Sequence, residues 1–212
     1  METKHVVVVE RNRFQRELLS VALESNGLSV GQAGSVSAAK RAFDLQPPDA
    51  VVLDVDLGKG GTGLELAEYA REISPRVGLV FLTNLPDPRF IGREPKSLPE
   101  NSAYLRKGQL GNLRELLAAL DAVLRNRASV KYRHDLDSTR PLAKLSRMQL
   151  TVLALVSKGL SNSQIADHRG TTVRAVEGMV GRVFETLNID SAGDGNARVE
   201  AAIAYLTALG QG

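Results

Sequence analysis

Residues 1–124 alternate between short apolar runs and amphipathic helical patterns, and this alternation leaves few possible folds. A run of four to six apolar residues between helices is typical of a buried strand in a parallel sheet. The runs are His5 to Val9, Leu28 to Ala33, Ala50 to Leu53, Val77 to Leu82 and Ala103 to Leu105. We therefore predict a five-stranded parallel sheet with right-handed crossover helices and with its ligand site at the carboxyl ends of the strands.

The helical patterns differ in quality along this half of the chain. The first is expected to begin at Asn12, to end at Gly27, and to carry an apolar face of Phe14, Leu18, Val21 and Ala22. The last has leucines at helical spacing, at positions 110, 113, 117, 120 and 124. Between the fourth and fifth runs lie Pro86, Pro88, Gly92, Pro95 and Pro99, which predict a short or broken fourth helix.

The apolar period disappears from residue 125 to residue 144, so we predict a linker there, between a first domain of residues 1–124 and a second of residues 145–212. Basic side chains cluster in this segment, at Arg125, Arg127, Lys131, Arg133 and Arg140. Four short helical patterns follow: Ser146 to Ser157, Ser161 to His168, Thr172 to Thr186 and Ala197 to Leu209. The second domain is therefore expected to be all-α.

Composition excludes several classes of protein. The chain has no cysteine and three scattered histidines, which argues against disulfides, thiolate catalysis and a structural zinc site. The sequence predicts no membrane span and no secretory signal, so a cytoplasmic location is expected. Residues 1–124 carry 15 Lys/Arg and 16 Asp/Glu, whereas residues 125–212 carry 12 and 8. The basic second half favours a polyanionic partner.

Polar residues stand where the predicted strands end. Glu10 follows the first strand and Asp54 the third, while Thr83 follows the fourth and Lys107 the fifth. A carboxylate can attack phosphorus if a divalent cation neutralises the incoming charge and if cationic and hydroxyl donors hold the phosphoryl oxygens. These four side chains have the chemistry for those roles.

Residues 4–124 resemble the receiver domains of response regulators. The resemblance lies in the segments 6–12, 51–57 with 63–65, 81–83 and 103–107. It implies a flavodoxin-like fold, with Asp54 as the phosphoacceptor and Lys107 as the phosphate-binding lysine. It also implies that Thr83 is the switch hydroxyl and Tyr104 the switch aromatic, and that Mg²⁺ binds at Glu10, Asp54 and Asp56.

The chain departs from the receiver pattern at Arg11, which stands where the family has a second acidic residue that binds magnesium directly. Gly58 and Asn84 are further departures. A guanidinium opposes a bound cation by Coulomb repulsion, which puts the magnesium site and phosphorylation in doubt. Two interpretations remain open. In one, Arg11 points into solvent and the acidic side chains still hold a metal; in the other, it pairs with Asp54 or Asp56 and imitates the activated charge state.

In the predicted third helix of the second domain, valines and Leu187 recur at helical spacing and leave Arg174 and Arg182 on the opposite face. A short helix precedes it across a tight turn, which suits a helix-turn-helix as well as an ordinary bundle. Residues 145–189 resemble the LuxR-type output domain of the NarL/FixJ response regulators, notably at 152–153, 158–162, 164–166, 172, 176 and 187–189. The resemblance implies a DNA-contacting set: Ser161, Thr172, Arg174, Glu177, Gly178 and Arg182.

Within this second resemblance, Glu177 stands where the family favours lysine. It could accept a hydrogen bond from a cytosine amine, pair with Arg174, or weaken binding. The final helix has a wide apolar stripe, formed by Val199, Ala202, Ile203, Leu206 and Leu209, which suits either a dimer interface or burial within the domain. Six additional residues, Ser191 to Asn196, precede that helix.

The combined prediction is a dimeric, DNA-binding transcription regulator of a two-component system rather than an enzyme. The expected partners are double-stranded DNA, a sensor histidine kinase, a second copy of the chain and RNA polymerase, without a membrane. Two alternatives stay open: an adaptor or phosphorylation-independent regulator, and a phosphatase built on the Asp54 and Asp56 pair, which Thr62 also favours. The phosphatase lacks the later acidic pair that such enzymes need, since Glu115 and Asp121 lie within a helix pattern.

Overall fold

The chain forms two compact units in a computed structural model that describes residues 3–58, 60–94, 98–128, 130–140, 142–190 and 196–210. The first unit comprises Met1–Asn84 and Lys96–Leu136; the second comprises Leu85–Pro95 and Asp137–Gly212. Residues 129 and 141 of the predicted linker, and residues 191–195 of the predicted insertion, lie outside the described part. Within the described residues, no helix is both long and apolar enough to cross a membrane.

The first unit contains a parallel five-stranded sheet in the order β2-β1-β3-β4-β5, which confirms the predicted α/β fold. The strands are β1 His5–Val9, β2 Ser29–Ala33, β3 Ala50–Leu53, β4 Gly78–Thr83 and β5 Ser102–Arg106. The helices are α1 Arg13–Glu24, α2 Val36–Leu45, α3 Gly63–Ile73 and α4 Leu113–Leu124. Strands β3 and β4 are buried along their whole length because helices cover both faces of a parallel sheet.

The apolar face of α1 points outward rather than into the core. Phe14 is 69% exposed, Leu18 55% and Val21 61%. The inward positions are Ser20 and Leu23, and Ser20 satisfies its buried hydroxyl by donating to the Arg16 carbonyl at 2.8 Å. Amphipathic spacing identifies an apolar stripe, but it does not say whether the stripe faces the core or solvent.

Residues 125–128 and 130–136, predicted as part of a linker, belong to the first unit. They form two short 3-10 turns, Val130–Tyr132 and His134–Leu136, which explains why no helical period is seen in the sequence. Tyr132 packs on the core of the first unit, and Arg133 pairs at 2.8 Å with the buried Asp135. The first unit therefore extends to residue 136, beyond the boundary predicted at residue 124.

The second unit contains four helices among its described residues: α5 Arg147–Ser157, α6 Asn162–Arg169, α7 Val173–Leu187 and α8 Ala197–Ala208. Side-chain caps fix where they begin. Ser146 and Ser161 each form a reciprocal capping box with a glutamine three residues later. The core is formed by apolar side chains from all four helices. This is the all-α second domain that the sequence predicts.

Among its described residues, 84–94 and 98–101, the connection between β4 and β5 contains a short 3-10 turn, Pro88–Ile91, and no α-helix. The prolines predict such an interruption, since Pro86 and Pro88 cannot donate backbone hydrogen bonds. The sequence did not predict where the segment would lie. Residues 85–94 of this connection belong to the second unit and are called the β4–β5 segment below, whereas residues 98–101 belong to the first unit.

Candidate functional site

The carboxyl ends of neighbouring strands bring four predicted side chains together. Glu10 follows β1 and Asp54 follows β3, while Thr83 ends β4 and Lys107 follows β5. Gly63 lets α3 approach this edge closely, because a Cβ at that position would overlap the carbonyl oxygen of Asp54. The start of α3 therefore packs directly against the backbone of Asp54.

Both oxygens of the Asp54 carboxylate accept hydrogen bonds. The Thr83 hydroxyl donates to Oδ1 at 2.7 Å and the Asp56 amide donates to the same atom at 3.0 Å. The Lys107 ammonium donates to Oδ2 at 2.7 Å. Asp54 is 9% exposed and Thr83 is fully buried, so these bonds form in a partly desolvated place where they are stronger than in water.

Lys107 also bridges to Glu10, whose Oε2 accepts its hydrogen bond at 2.5 Å. The other oxygen of Glu10 accepts from the Asn12 amide at 2.7 Å. Burial by itself lowers the pKa of Lys107, but the charges and hydrogen bonds of Asp54 and Glu10 outweigh it and raise that pKa above its ordinary value. Lys107 therefore stays protonated at neutral pH and neutralises part of the charge on the two carboxylates.

Arg11 lies beside Asp56 and not beside Asp54. The Arg11 Nη2 and Asp56 Oδ2 atoms are 4.0 Å apart, and both side chains are more than half exposed. The guanidinium lies next to Gly58, over the loop that joins β3 to α3. The side chain is thus exposed to solvent, as in the first interpretation, and pairs loosely with Asp56, as in the second; metal binding and imitation of the activated charge state stay predictions.

The donor set does not suit magnesium as it is arranged. The two oxygens of Glu10 and the two of Asp54 already accept hydrogen bonds, and Asp56 Oδ1 accepts from the Gly58 amide at 3.1 Å. Among the described residues, no three acidic or histidine side chains lie close enough together to hold a metal ion. Lys107 provides the positive charge between Glu10 and Asp54, and Arg11 adds a second cation nearby.

Tyr104 lies inside the first unit and not at the strand ends. Its ring is fully buried, with its centroid 6.1 Å from that of Phe81 on the neighbouring strand. It is separated from Lys107 by two residues along β5 and its continuation. The structure therefore places Tyr104 as a packing residue behind the site, and its role as the switch aromatic stays a prediction.

Helices α6 and α7 form the predicted helix-turn-helix. Gly170 ends α6 in the left-handed conformation with φ of 61°, and α7 begins three residues later. Ser161 caps α6 by accepting from the Gln164 amide at 3.3 Å, and Thr172 caps α7 by accepting from the Ala175 amide at 3.2 Å. Each exposed hydroxyl keeps its own hydrogen available for an acceptor such as a phosphate oxygen.

Helix α7 has one buried and one exposed face. Val176, Val180 and Val183 are buried, whereas Arg174, Glu177 and Gly178 are exposed. Arg174 and Glu177, which are both described, form no ion pair with each other. The exposed Arg182 reaches back toward Gly178, where an added Cβ would lie 3.8 Å from its Nη1 atom. The predicted DNA-contacting residues of α7 therefore share one solvated face.

The sequence did not predict a second charged cluster, which lies in the second unit. Asp87, fully buried, accepts from Arg89 Nε at 2.8 Å and from Arg140 Nη2 at 2.6 Å. Burial alone raises the pKa of Asp87, but the hydrogen bonds from Arg89 and Arg140 lower it below its ordinary value. Arg140 had been grouped with the linker arginines. The Asp-Pro pair at 87–88 is a sequence signal for a capped turn. It gives no indication that the Asp87 carboxylate pairs with an arginine 53 residues later.

Comparison with known proteins gives four findings. Residues 6–93 match the family model of the response regulator receiver domain. The chain is 30% identical over 169 residues to the DNA-binding transcriptional activator DevR/DosR of Mycobacterium tuberculosis, with 76% of each chain covered. It is 23% identical to the oxygen regulatory protein NreC of Staphylococcus haemolyticus, over 68% of this chain and 71% of that protein. The structure of RcsB from Salmonella enterica serovar Typhimurium covers 99% of both chains with a TM-score of 0.58 at 16% identity, which shows a shared fold.

Proposed function

Because the chain belongs to the two-component response regulators of the NarL/FixJ group, we propose that it is a transcription regulator that accepts a phosphoryl group at Asp54 and binds double-stranded DNA as a homodimer. A sensor histidine kinase supplies the phosphoryl group. The proposal makes the first unit the receiver and the second unit, with α6 and α7, the DNA-binding part.

In the acceptor step, an Asp54 oxygen attacks phosphorus while the bond from phosphorus to the donor's leaving atom breaks. Thr83 and Lys107 hold that carboxylate before the step, at 2.7 Å each. They are placed to transfer their hydrogen bonds to the new phosphoryl oxygens, where they stabilise added negative charge. Since both carboxylate oxygens must first give up a donor, and since Arg11 disfavours a divalent cation, we expect this step to be slow.

In the DNA-binding step, the exposed face of α7 lies in the major groove. Arg174 is in its first turn, where side chains reach base edges, and Glu177 lies three residues later on the same exposed face. Arg182 lies about two turns later, and the Ser161 and Thr172 hydroxyls lie at helix starts, where contacts with phosphates are common. The relative DevR/DosR carries the name of a DNA-binding activator, which supports the same role here.

Homodimerisation has a candidate surface on α8. Val199 is 50% exposed and Ile203 is 55% exposed, while Ala201, Tyr205 and Ala208 point into the second unit. Part of the predicted apolar stripe is therefore available to a partner. The outward stripe of α1 is a competing surface for the same purpose, and substitution distinguishes the two.

The observation that carries the proposal is that α7 buries Val176, Val180 and Val183 and leaves a second face exposed, with Arg174, Glu177 and Gly178 on it. A direct test is selection of genomic DNA fragments by the purified full chain, followed by sequencing. We expect a small set of fragments that share an inverted repeat, and we expect Arg174→Ala to reduce their enrichment. If the wild-type chain at low salt recovered genomic fragments without any sequence preference, that result would contradict sequence-specific DNA recognition.

A further inference from the structure

Lys107 has a third hydrogen-bond partner in the acceptor site, and it lies on α1. The ammonium group donates to Glu10 Oε2 at 2.5 Å, to Asp54 Oδ2 at 2.7 Å and to the side-chain oxygen Oε1 of Gln15 at 3.1 Å. An ammonium group carries three hydrogens and has no acceptor, so these three partners match its full capacity. They belong to three different parts of the fold, and the position of Nζ is therefore fixed from three sides.

Gln15 is itself fixed by the loop that joins β1 to α1. Asn12 caps α1, and its side-chain oxygen accepts from the Gln15 amide at 3.0 Å. The Asn12 amide in turn donates to Glu10 Oε1 at 2.7 Å. Together with the bonds from Lys107 to Glu10 and to Gln15, these contacts form a closed ring of four residues. The backbone of Gln15 is thus held relative to Glu10 at a place from which its side chain reaches the ammonium group.

The ring decides where the remaining N–H of Lys107 points. Glu10 and Gln15 engage two of the three N–H groups, and neither forms a covalent bond in the acceptor step. The third is directed at Asp54 Oδ2, beside the position that an incoming phosphoryl group would occupy. A donor that is aimed before the reaction stabilises the developing charge without reorganisation during the step. The two anchors therefore have a function that either one alone would fulfil less well.

From this arrangement we propose that Gln15 is a positioning residue for phosphoryl acceptance. With Glu10, it holds the Lys107 ammonium so that the third N–H passes from Asp54 to a phosphoryl oxygen while the other two bonds stay in place. Gln15 does not touch the reacting atoms, and it acts through Lys107. The inference rests on the proposed acceptor role of Asp54, and it does not depend on DNA binding.

Substitution of Gln15 tests the role in the reaction, and its exposed position makes a loss of folding unlikely to interfere. Gln15→Met keeps the length of the side chain and removes the acceptor oxygen. We expect it to lower the initial rate of labelling of the full chain by acetyl phosphate by about fivefold or more, because a hydrogen bond to a charged group is lost. Gln15→Glu, which keeps an oxygen at the same reach, should retain most of the rate.

The ammonium resonance of Lys107 in the full chain, labelled with ¹⁵N, reports the anchoring directly. An ammonium group with three partners exchanges its hydrogens with water slowly enough to be observed, and Lys107→Arg assigns its signal by removing it. We expect Gln15→Met to weaken this signal and Gln15→Glu to retain it. Gln46→Met is the matched control, since it makes the same change at an exposed position where α2 ends, and it should leave both the rate and the signal unchanged.

The outcomes separate this inference from the proposed function on which it rests. A wild-type chain that acetyl phosphate does not label at Asp54 would overturn the acceptor role and the inference with it. A labelled wild type whose rate is unchanged by Gln15→Met would overturn the inference alone, whether or not the ammonium signal weakens. A rate that falls equally in Gln15→Met and Gln46→Met would also overturn it, because the effect would then not depend on the contact with Lys107.

Discussion

The Arg11 guanidinium lies 4.0 Å from the Asp56 carboxylate at the edge of the acceptor site. Two unit charges at this distance interact by about 1 kcal/mol even in bulk water, and a divalent cation beside Arg11 would meet a repulsion of at least that size. The residue that departs most from the receiver pattern is thus placed to disfavour the cation on which phosphoryl transfer in this family depends.

We expect the wild-type chain to be labelled slowly by acetyl phosphate with magnesium. Arg11→Asp should increase the initial rate by a factor of about 5 or more, because it removes the repulsion and adds a ligand. Asp54→Asn should abolish labelling in either background. The measurement is the amount of phosphorylated chain against time, by mass spectrometry.

Arg13→Asp is the matched control for Arg11→Asp, since it makes the same charge change two residues away on the exposed start of α1. It should leave the rate within about twofold of wild type. Fast labelling of the wild-type chain would contradict the role given to Arg11, and turnover of many phosphoryl groups per chain would favour a phosphatase instead.

The buried Asp87 cluster should dominate the stability of the second unit. Asp87→Asn leaves Arg89 and Arg140 without their shared counter-ion, and loss of one partner from a buried pair costs about 3 to 5 kcal/mol. Asp121→Asn breaks an exposed pair with Arg125 and should cost less than about 1 kcal/mol. The free energy of unfolding in urea gives both values, and equal losses for the two variants would contradict the assignment.

The same carboxylate predicts how stability depends on pH. The pKa of Asp87 is lower in the folded chain than in the unfolded chain, where an Asp titrates near about 3.9. Its contribution is therefore fully present above the unfolded pKa and is lost as the pH falls through the folded pKa. The difference in unfolding free energy between wild type and Asp87→Asn should be constant from pH 7 to about pH 5 and should shrink below that. If this difference in unfolding free energy grew as the pH fell below about 5, the pKa of Asp87 would be raised by folding and not lowered.

Much of this organisation could be predicted from the sequence, because strand runs and strand-end side chains are local signals. Glu10, Asp54, Thr83 and Lys107 were assigned to one edge because parallel strands end together, and the structure brings them together. The outward face of α1 and the place of the β4–β5 segment could not be predicted. The orientation of α1 and the unit to which the β4–β5 segment belongs both depend on contacts between residues far apart in the sequence. Helical spacing carries no information about such contacts.

Homodimerisation through α8 predicts that Ile203→Glu shifts the chain toward monomer. A carboxylate at the centre of an apolar interface must be desolvated without a partner, so the dissociation constant should rise by at least tenfold. Sedimentation velocity of the full chain over a range of concentrations measures this. Leu45→Glu, at an 88% exposed position outside both stripes, should have no effect. If Leu18→Glu produces monomer while Ile203→Glu does not, the interface is on α1 instead.

Substitution of Arg174 and substitution of Arg182 should weaken DNA binding in different ways. Arg174→Ala should weaken the free energy of binding to the specific site by about 1 to 3 kcal/mol. It should also reduce the ratio of the affinities for specific and random DNA, because base contacts carry sequence information. Arg182→Ala should weaken both kinds of DNA alike and lower the salt dependence by about one ion. Fluorescence anisotropy at several salt concentrations measures both effects.

Arg41→Ala, an exposed arginine of the first unit, is the control for a loss of charge alone. These measurements use the full chain, because a fragment that begins in the predicted linker would lack Asp87, Arg89 and Phe90. Among the basic residues of that linker, Arg125, Arg133 and Arg140 are paired with aspartates, so they do not form a loose basic arm. An Arg174→Ala chain with unchanged affinity and sequence preference would contradict the helix-turn-helix assignment.

The β4–β5 segment also bears on how this protein could be recombined with others. Two-domain proteins are usually joined by a single linker, so that a gene fusion within the linker exchanges one domain for another. Here the chain passes between the units at three places, and the second unit contains ten described residues encoded within the first. A chimera that exchanges residues 137–212 alone would pair a foreign set of helices with a native Asp87 and Phe90. A functional chimera therefore requires that residues 85–94 be exchanged together with the helices they contact.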